Sequence, residues 1–217
     1  MSEILTINDS RTNKEYKIEI HDGNIRAKDL RQIKVNEDEF GMMSYDPSFE
    51  NTASCKSSVT YIDGDEGILR YRGYPIEQLA ESSSQLEVSK LLIDGELPNN
   101  EELKKWIADV KEHNSVPADI NNIIKAFPQN SHAMGALTSL EAALSTFYPE
   151  SKNIDDADEN YRSMCRLIAQ VPILAANFYR HSQGLDFINP DDSLDYAENF
   201  LNMMFHGDEK RMHPDLV

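Results

Sequence analysis

The feature that most constrains the fold is helical spacing of apolar residues, which begins at Pro75 and continues over most of the remaining chain. Leu103, Trp106, Ile107 and Val110, for example, fall at i, i+3, i+4 and i+7, the spacing of one buried helix face. Residues 16–20 instead alternate apolar and charged side chains, as a half-buried strand does. The pattern therefore predicts a mainly α fold with a small β-containing N-terminal segment.

Two hairpins are predicted in the first third of the chain. Residues 4–7 and 16–20 read as strands around polar turn residues, and residues 28–36 fit one short helix. Residues 41–53 lack periodicity and are typical of an extended connector. A second hairpin is expected over residues 58–74, where the run DGDEG at 63–67 marks the reversal. Asx-type hydrogen bonds explain that acidic turn without a metal ion.

Capping residues predict where several helices begin. Pro75 suits a first helical turn, Asn99 or Asn100 suits the start of the third helix, and Ser131 suits the start of a helix that extends to Phe147. A longer helix is predicted over residues 155–181, where Pro172 removes one backbone hydrogen bond and is expected to cause a kink. The acidic run at 155–159 fits a solvated helix N-terminus, which the helix dipole favours.

The end of the sequence predicts truncation. Residues 194–205 carry one more apolar stripe, and residues 213–217 (HPDLV) look like a helix start inside which the chain stops. We therefore expect two regions: a small N-terminal segment with a β-hairpin at residues 1–45, and a helical domain at residues 46–217 that lacks its remaining part.

Charge and composition exclude several classes of function. Lys and Arg total 21 against 38 Asp and Glu, a formal net charge of -17, which argues against binding a phosphate backbone. No run approaches the ~20 apolar residues of a membrane span. The N-terminus has no secretory signal, and Cys55 and Cys165 form no metal-type or redox-type pair. We expect a cytoplasmic protein without nucleic-acid or membrane partners.

A series of collinear blocks resembles the citrate synthase family. The strongest is YIDGDEGILRYRGY at 61–74, preceded by YDPSF at 45–49 and NTASC at 51–55. LEV at 86–88, GELP at 95–98, SHAM at 131–134 and NFLNMMF at 199–205 follow in order. The blocks cover nearly the whole chain. They are similar to the N-terminal half of the family, and the N-terminal β segment resembles that of bacterial hexameric members.

The resemblance implies the large helical domain of citrate synthase, present in part, and an acyltransferase activity. The full-length enzyme would condense acetyl-CoA with oxaloacetate and water to give citrate and CoA, the first step of the tricarboxylic acid cycle. It would be a homodimer or hexamer and use no cofactor, because acetyl-CoA is a substrate. The family's catalytic carboxylate, histidines and arginines lie beyond the last matched block, so no catalytic residue is assigned and this fragment is expected to be inactive. The alternatives are 2-methylcitrate synthase and a non-catalytic regulatory or assembly module.

One functional site of the family could still lie within this part of the chain. Some family members carry an allosteric NADH site, and its pattern is matched by His113, Tyr148 and Arg166. The pattern's arginine, threonine and lysine are replaced here by Glu112, Asn114 and Gln170. Losing two cations weakens a grip on a pyrophosphate. The alternative is that the three matched residues serve packing or subunit contacts. No metal site is predicted.

Overall fold

The chain divides into two compact units, Met1–Ser58 and Val59–Val217, which we call the N-terminal unit and the helical unit. The computed structural model describes residues 3–208 and Arg211. The prediction of a mainly α fold with short strand segments is confirmed. The region boundary predicted after residue 45 falls inside the N-terminal unit. The predicted helix start at residues 213–217 lies outside the described residues.

The N-terminal unit is a three-stranded antiparallel sheet with one short helix. Its strands, β1 Glu3–Asp9, β2 Lys14–His21 and β3 Asn24–Ile25, are arranged in the order β1-β2-β3. The first two strands form the predicted hairpin. The helix predicted over residues 28–36 is a 3-10 helix at Ala27–Gln32, because Lys34 to Asn36 leave helical geometry. Ile18 and Ile33 are each 1% exposed and form the unit's buried centre.

The helical unit begins with the second predicted hairpin, which is confirmed. Strands β4 Thr60–Asp63 and β5 Ile68–Tyr71 pair antiparallel, and β6 Tyr74–Pro75 adds a short third strand. Asp63 Oδ1 accepts hydrogen bonds from the backbone N–H groups of Asp65 and Glu66. The Asp63 side chain thus closes the acidic turn through the backbone N–H groups of the turn itself, as predicted. Among the described residues no cluster of His, Cys, Asp or Glu could hold a metal ion.

In the described part of the unit seven α-helices follow, and a 3-10 helix at Pro149–Lys152 lies between the fifth and sixth. They are α1 Ile76–Ser82, α2 Gln85–Asp94, α3 Asn100–Lys111, α4 Ala118–Ala126, α5 Ala133–Leu144, α6 Ala157–Ser182 and α7 Tyr196–Phe205. Within the described residues, none of these helices is long and apolar enough to cross a membrane.

Helix ends follow the capping predictions in part. Asn99 caps α3 through a capping box with Glu102, as the sequence indicated. Pro75 lies in β6 and is the N-cap of α1, one position before the first helical turn in which it was expected. The prediction for α5 is wrong. The cap of α5 is His132, whose Nδ1 accepts from the N–H of Met134 at 3.3 Å. Ser131 instead belongs to the preceding turn, where its N–H donates to a backbone carbonyl.

The 26-residue helix α6 is the centre of the helical unit. It packs against α3, α4, α5 and α7, and it continues through Pro172. One buried cluster joins Leu174 and Phe178 of α6 to α4 and α5; a second joins Cys165 and Ala169 to Trp106 of α3. Burial of these apolar faces is the main force that holds α6 in place.

Candidate ligand-binding cluster

The three residues predicted from the NADH-site pattern come from three separate segments of the helical unit. His113 follows the end of α3, Tyr148 immediately precedes the 3-10 helix Pro149–Lys152, and Arg166 lies in α6. The Arg166 guanidinium stands over the Tyr148 ring, with Cζ 4.5 Å from the ring centroid. This is the geometry of a cation–π contact. The fold therefore brings Tyr148 and Arg166 into direct contact.

His113 lies in the electrostatic range of the same arginine. Desolvation lowers the pKa of His113 below its ordinary value of 6.5, and the positive charge of Arg166 lowers it further. Both effects disfavour the imidazolium form. The lowered pKa favours the neutral imidazole, so His113 adds little positive charge to this cluster.

Two carboxylates neutralise Arg166 within the protein. Its Nη1 lies 2.7 Å from Glu159 Oε1, and its Nη2 lies 3.2 Å from Glu150 Oε1. Glu159 also pairs with Arg162 at 2.8 Å and is only 2% exposed. Burial alone would raise the pKa of Glu159, but the hydrogen bonds from Arg162 and Arg166 hold it below its ordinary value.

Glu159 corrects one sequence prediction. The acidic run at 155–159 was expected to be a solvated helix N-terminus, and Asp156 does cap α6 through the N–H groups of Asp158 and Glu159. Glu159 itself is buried and paired. The signal was present in the sequence, because Glu159, Arg162 and Arg166 stand at i, i+3 and i+7 on one helix face.

Gln170 and Asn114, which depart from the NADH-site pattern, are also engaged internally. The Nε2 of Gln170 donates to Ser115 O and to Tyr148 Oη, both at 2.7 Å. The Nδ2 of Asn114 donates to Asp192 Oδ1 at 3.0 Å. A phosphate approaching Arg166 would meet Glu150 and Glu159 and find no second cation in the place of the pattern's lysine.

Other histidines and arginines of the helical unit hold the fold together. His132 caps α5, His181 contacts Phe127 O at 2.7 Å, and His206 contacts Asn202 Oδ1 at 3.0 Å. The guanidinium groups of Arg72 and Arg180 donate to backbone carbonyls. These contacts lie at different helix ends.

The fold and its contacts define the class of protein: a helical domain built around one long central helix. The family model for the citrate synthase C-terminal domain matches residues 48–217, more than half of the chain. The chain therefore belongs to the citrate synthase family.

Several relatives resemble it over most of its length. It is 43% identical over 220 residues to citrate synthase of Dictyostelium discoideum, covering 98% of this chain and 43% of that protein. It is 42% identical to the glyoxysomal citrate synthase of Cucurbita maxima, covering 92% of this chain and 40% of the relative. The chain thus spans about two-fifths of the length of these relatives.

Solved structures of citrate synthases are also similar to this chain. Citrate synthase of Pyrobaculum aerophilum gives a TM-score of 0.66 at 35% identity, over 72% of this chain and 41% of that one. The ternary complex of Thermoplasma acidophilum citrate synthase with carboxymethyl coenzyme A and oxaloacetate gives a TM-score of 0.66 at 31% identity, over 72% and 41%.

Proposed function

We propose that the protein to which this chain belongs is a citrate synthase, which condenses acetyl-CoA with oxaloacetate and water to give citrate and CoA. The observation that carries the proposal is the match over 98% of the chain to a relative of that name at 43% identity. Substrate identity is supported by the structural neighbour whose complex holds a coenzyme A analogue and oxaloacetate. Both substrates are small molecules, and the protein needs no cofactor beyond them.

We assign catalysis to residues outside 1–217. Enolisation of the thioester needs a carboxylate base and a group that stabilises the enol. A dicarboxylate substrate also needs arginines free to bind it. Arg162, Arg166 and Arg180 already pair with internal carboxylates or carbonyls. Residues 1–217 by themselves are accordingly expected to lack activity.

Product analysis tests the reaction. A form of the protein that extends beyond residue 217 is incubated with acetyl-CoA and oxaloacetate, and the product is identified by mass spectrometry. Citrate synthase is supported if acetyl-CoA is condensed to citrate much faster than propionyl-CoA is condensed to 2-methylcitrate. Preferential formation of 2-methylcitrate from propionyl-CoA would contradict it, and no condensation with either thioester would favour a non-catalytic module.

The proposal extends to assembly and location. We propose a homodimer or hexamer, of the type found in bacterial members, in the cytoplasm. Helix α5 supports association: it buries Ala136, Leu140 and Leu144 internally but leaves Met134 60% exposed, next to the small residue Gly135. Monomeric behaviour at micromolar concentration in light scattering would contradict the assembly.

Relatives include peroxisomal and glyoxysomal citrate synthases, so a localisation experiment with the intact protein is the test of the cytoplasmic location.

NADH regulation through His113, Tyr148 and Arg166 stays a prediction. Contact between Tyr148 and Arg166 supports it, whereas the internal neutralisation of Arg166 by Glu159 and Glu150 opposes it. Isothermal titration of NADH into wild type and an Arg166→Gln variant decides between an NADH site and a purely structural role of these residues. Saturable binding that the variant abolishes supports an NADH site. Absence of binding supports the alternative, a structural ion-pair network.

A further inference from the structure

The sequence contains three Asp–Gly pairs, at residues 22–23, 63–64 and 94–95. An Asp–Gly pair is prone to a spontaneous rearrangement, because glycine has no side chain to keep its backbone nitrogen away from the preceding carboxyl group. The chemistry open to the three pairs is therefore the same. Their surroundings in the structure differ, and that difference favours reaction at one of them.

Helix α2 holds the Asp94–Gly95 pair closed. The Gly95 N–H donates to Leu91 O at 2.8 Å, so its nitrogen is already engaged. Asp94 pairs with Lys90 at 2.8 Å. Gly95 is the left-handed C-cap of α2, a conformation that ends many helices. Rearrangement at this pair requires the last turn of α2 to unwind.

Two hydrogen bonds restrain the carboxylate of the Asp63–Gly64 pair. Asp63 Oδ1 accepts from the N–H of Asp65 at 3.1 Å and from that of Glu66 at 3.0 Å. These bonds hold the carboxylate against the residues that follow Gly64. The flanking strands β4 and β5 pair over four residues each. Both hydrogen bonds must therefore break before the carboxyl group can turn towards the Gly64 nitrogen.

The Asp22–Gly23 pair is the least restrained of the three. It forms the two-residue loop between β2 and β3, with φ of 50° and 74°, as a type I′ turn requires. Left-handed backbone is unfavourable for residues other than glycine, and β3 contributes only Asn24–Ile25 to hold the loop. In the part of the chain that the structure describes, no backbone carbonyl accepts the Gly23 N–H.

One surface ion pair restrains the Asp22 side chain. Its Oδ2 lies 2.9 Å from Lys56 Nζ, and the two side chains are 76% and 89% exposed. An exposed pair of this kind is weak. The hydrogen bond from Lys56 also holds the pKa of Asp22 below its ordinary value. Because the rearrangement consumes the protonated carboxyl group, Lys56 slows the reaction without preventing it.

We propose that Asp22 is a site of isoaspartate formation, favoured over the other two Asp–Gly pairs by its exposed and weakly held loop. The Gly23 nitrogen attacks Asp22 Cγ; the C–N bond forms as the Cγ–OH bond breaks, and the hydroxyl group leaves with the nitrogen's proton as water. A second water then opens the five-membered imide at the Asp22 main-chain carbonyl. The backbone now continues through Cβ and Cγ, and a free carboxyl group remains on Cα. The added methylene disrupts the pairing of His21 with Asn24.

Peptide mapping of the aged protein tests the proposal. The protein is incubated at physiological temperature and neutral pH, in buffer and in concentrated urea, which removes the fold but keeps the sequence. Trypsin then releases each pair in a separate peptide, residues 18–26, 57–70 and 91–104. Isoaspartate and aspartate have the same mass, so the isomers are separated by chromatography and identified from their backbone fragments in mass spectrometry.

Two lysine variants test the restraint on Asp22. Lys56→Ala removes the ion pair. Lys14→Ala removes the same charge from an exposed position at the opposite end of β2, and it serves as the matched control. Both variants leave residues 18–26 as one tryptic peptide, so the same isomers are compared throughout.

In the native protein we expect isoaspartate at Asp22 to form at least about fivefold faster than at Asp94, the factor by which one backbone hydrogen bond shifts an opening equilibrium. Asp63 should react at an intermediate rate, and the three rates should converge in urea. Lys56→Ala should accelerate the reaction at Asp22 about two- to fivefold, whereas Lys14→Ala should not. Equal or faster reaction at Asp63 or Asp94 in the native protein, the same ranking in urea, or no acceleration in Lys56→Ala would overturn the proposal.

Discussion

Leu140 offers the sharpest test of the helical core. It is fully buried in α5 and belongs to the cluster formed with Ile120 and Ile124 of α4 and Leu174 and Phe178 of α6. Replacing Leu140 with Ala removes three buried carbon atoms, worth about 2–2.5 kcal/mol of transfer free energy. The remaining cavity adds about 1 kcal/mol where three helices limit relaxation. We therefore expect the free energy of unfolding to fall by about 3–4 kcal/mol.

The chain contains a built-in reporter for this measurement. Trp106 is the only tryptophan, is 1% exposed and lies in the helical unit. Urea unfolding followed by its fluorescence therefore reports on the helical unit alone, and the midpoint should fall by about 1–2 M for an ordinary dependence on urea. The thermal midpoint should fall by about 10 °C.

Leu167→Ala is the matched control. Leu167 lies on α6, like the partners of Leu140, but is 52% exposed, so its removal should change the free energy of unfolding by less than about 0.5 kcal/mol. Equal losses for the two variants would refute the assignment of Leu140 to a close-packed core and, with it, the packing of α4 and α5 on α6.

Three further predictions address a cap, a thiol and a titration. Asn99→Ala breaks the capping box of α3 and should cost about 1 kcal/mol in urea unfolding, whereas the same loss in Asn100→Ala would show that the box does not act. Cys55 is exposed, and Cys165 is buried with a thiol pKa raised by desolvation; a thiol reagent should label one cysteine in the native protein and none in Cys55→Ser, and rapid labelling of that variant would contradict the burial of Cys165. His113 should titrate below 6.5 in an NMR pH series; because its folded-state pKa is depressed, stability is lost as pH falls below 6.5, and His113→Asn should reduce that loss. A pKa above 6.5 would contradict the desolvation of His113.

Local signals predicted most of the fold, and they failed where tertiary packing decided between neighbouring residues. The Asp63 turn and the Asn99 cap were predictable because the side chain and its backbone partner lie within three residues of each other. The cap of α5 was misassigned because Ser131 and His132 are adjacent and both carry an acceptor. Strand pairing with β5 keeps Pro75 extended, although proline also suits a first helical turn.

The candidate sites were predictable to different degrees. Contact between Tyr148 and Arg166 was anticipated only through family resemblance, because 18 positions and the 3-10 helix Pro149–Lys152 separate them. The pairing of Glu159 with Arg162 and Arg166 left a helical spacing signal that a reading of the acidic run as solvent-exposed overlooked.

Thiol release from acetyl-CoA in the presence of oxaloacetate tests the central claim most directly. Residues 1–217 and a form extended beyond residue 217 are assayed side by side, with the folding of each checked by Trp106 fluorescence. We predict oxaloacetate-dependent release of CoA by the extended form and none by residues 1–217. Full activity from residues 1–217 alone would contradict the assignment of catalysis to other residues, and an inactive, folded extended form would contradict the proposed citrate synthase activity.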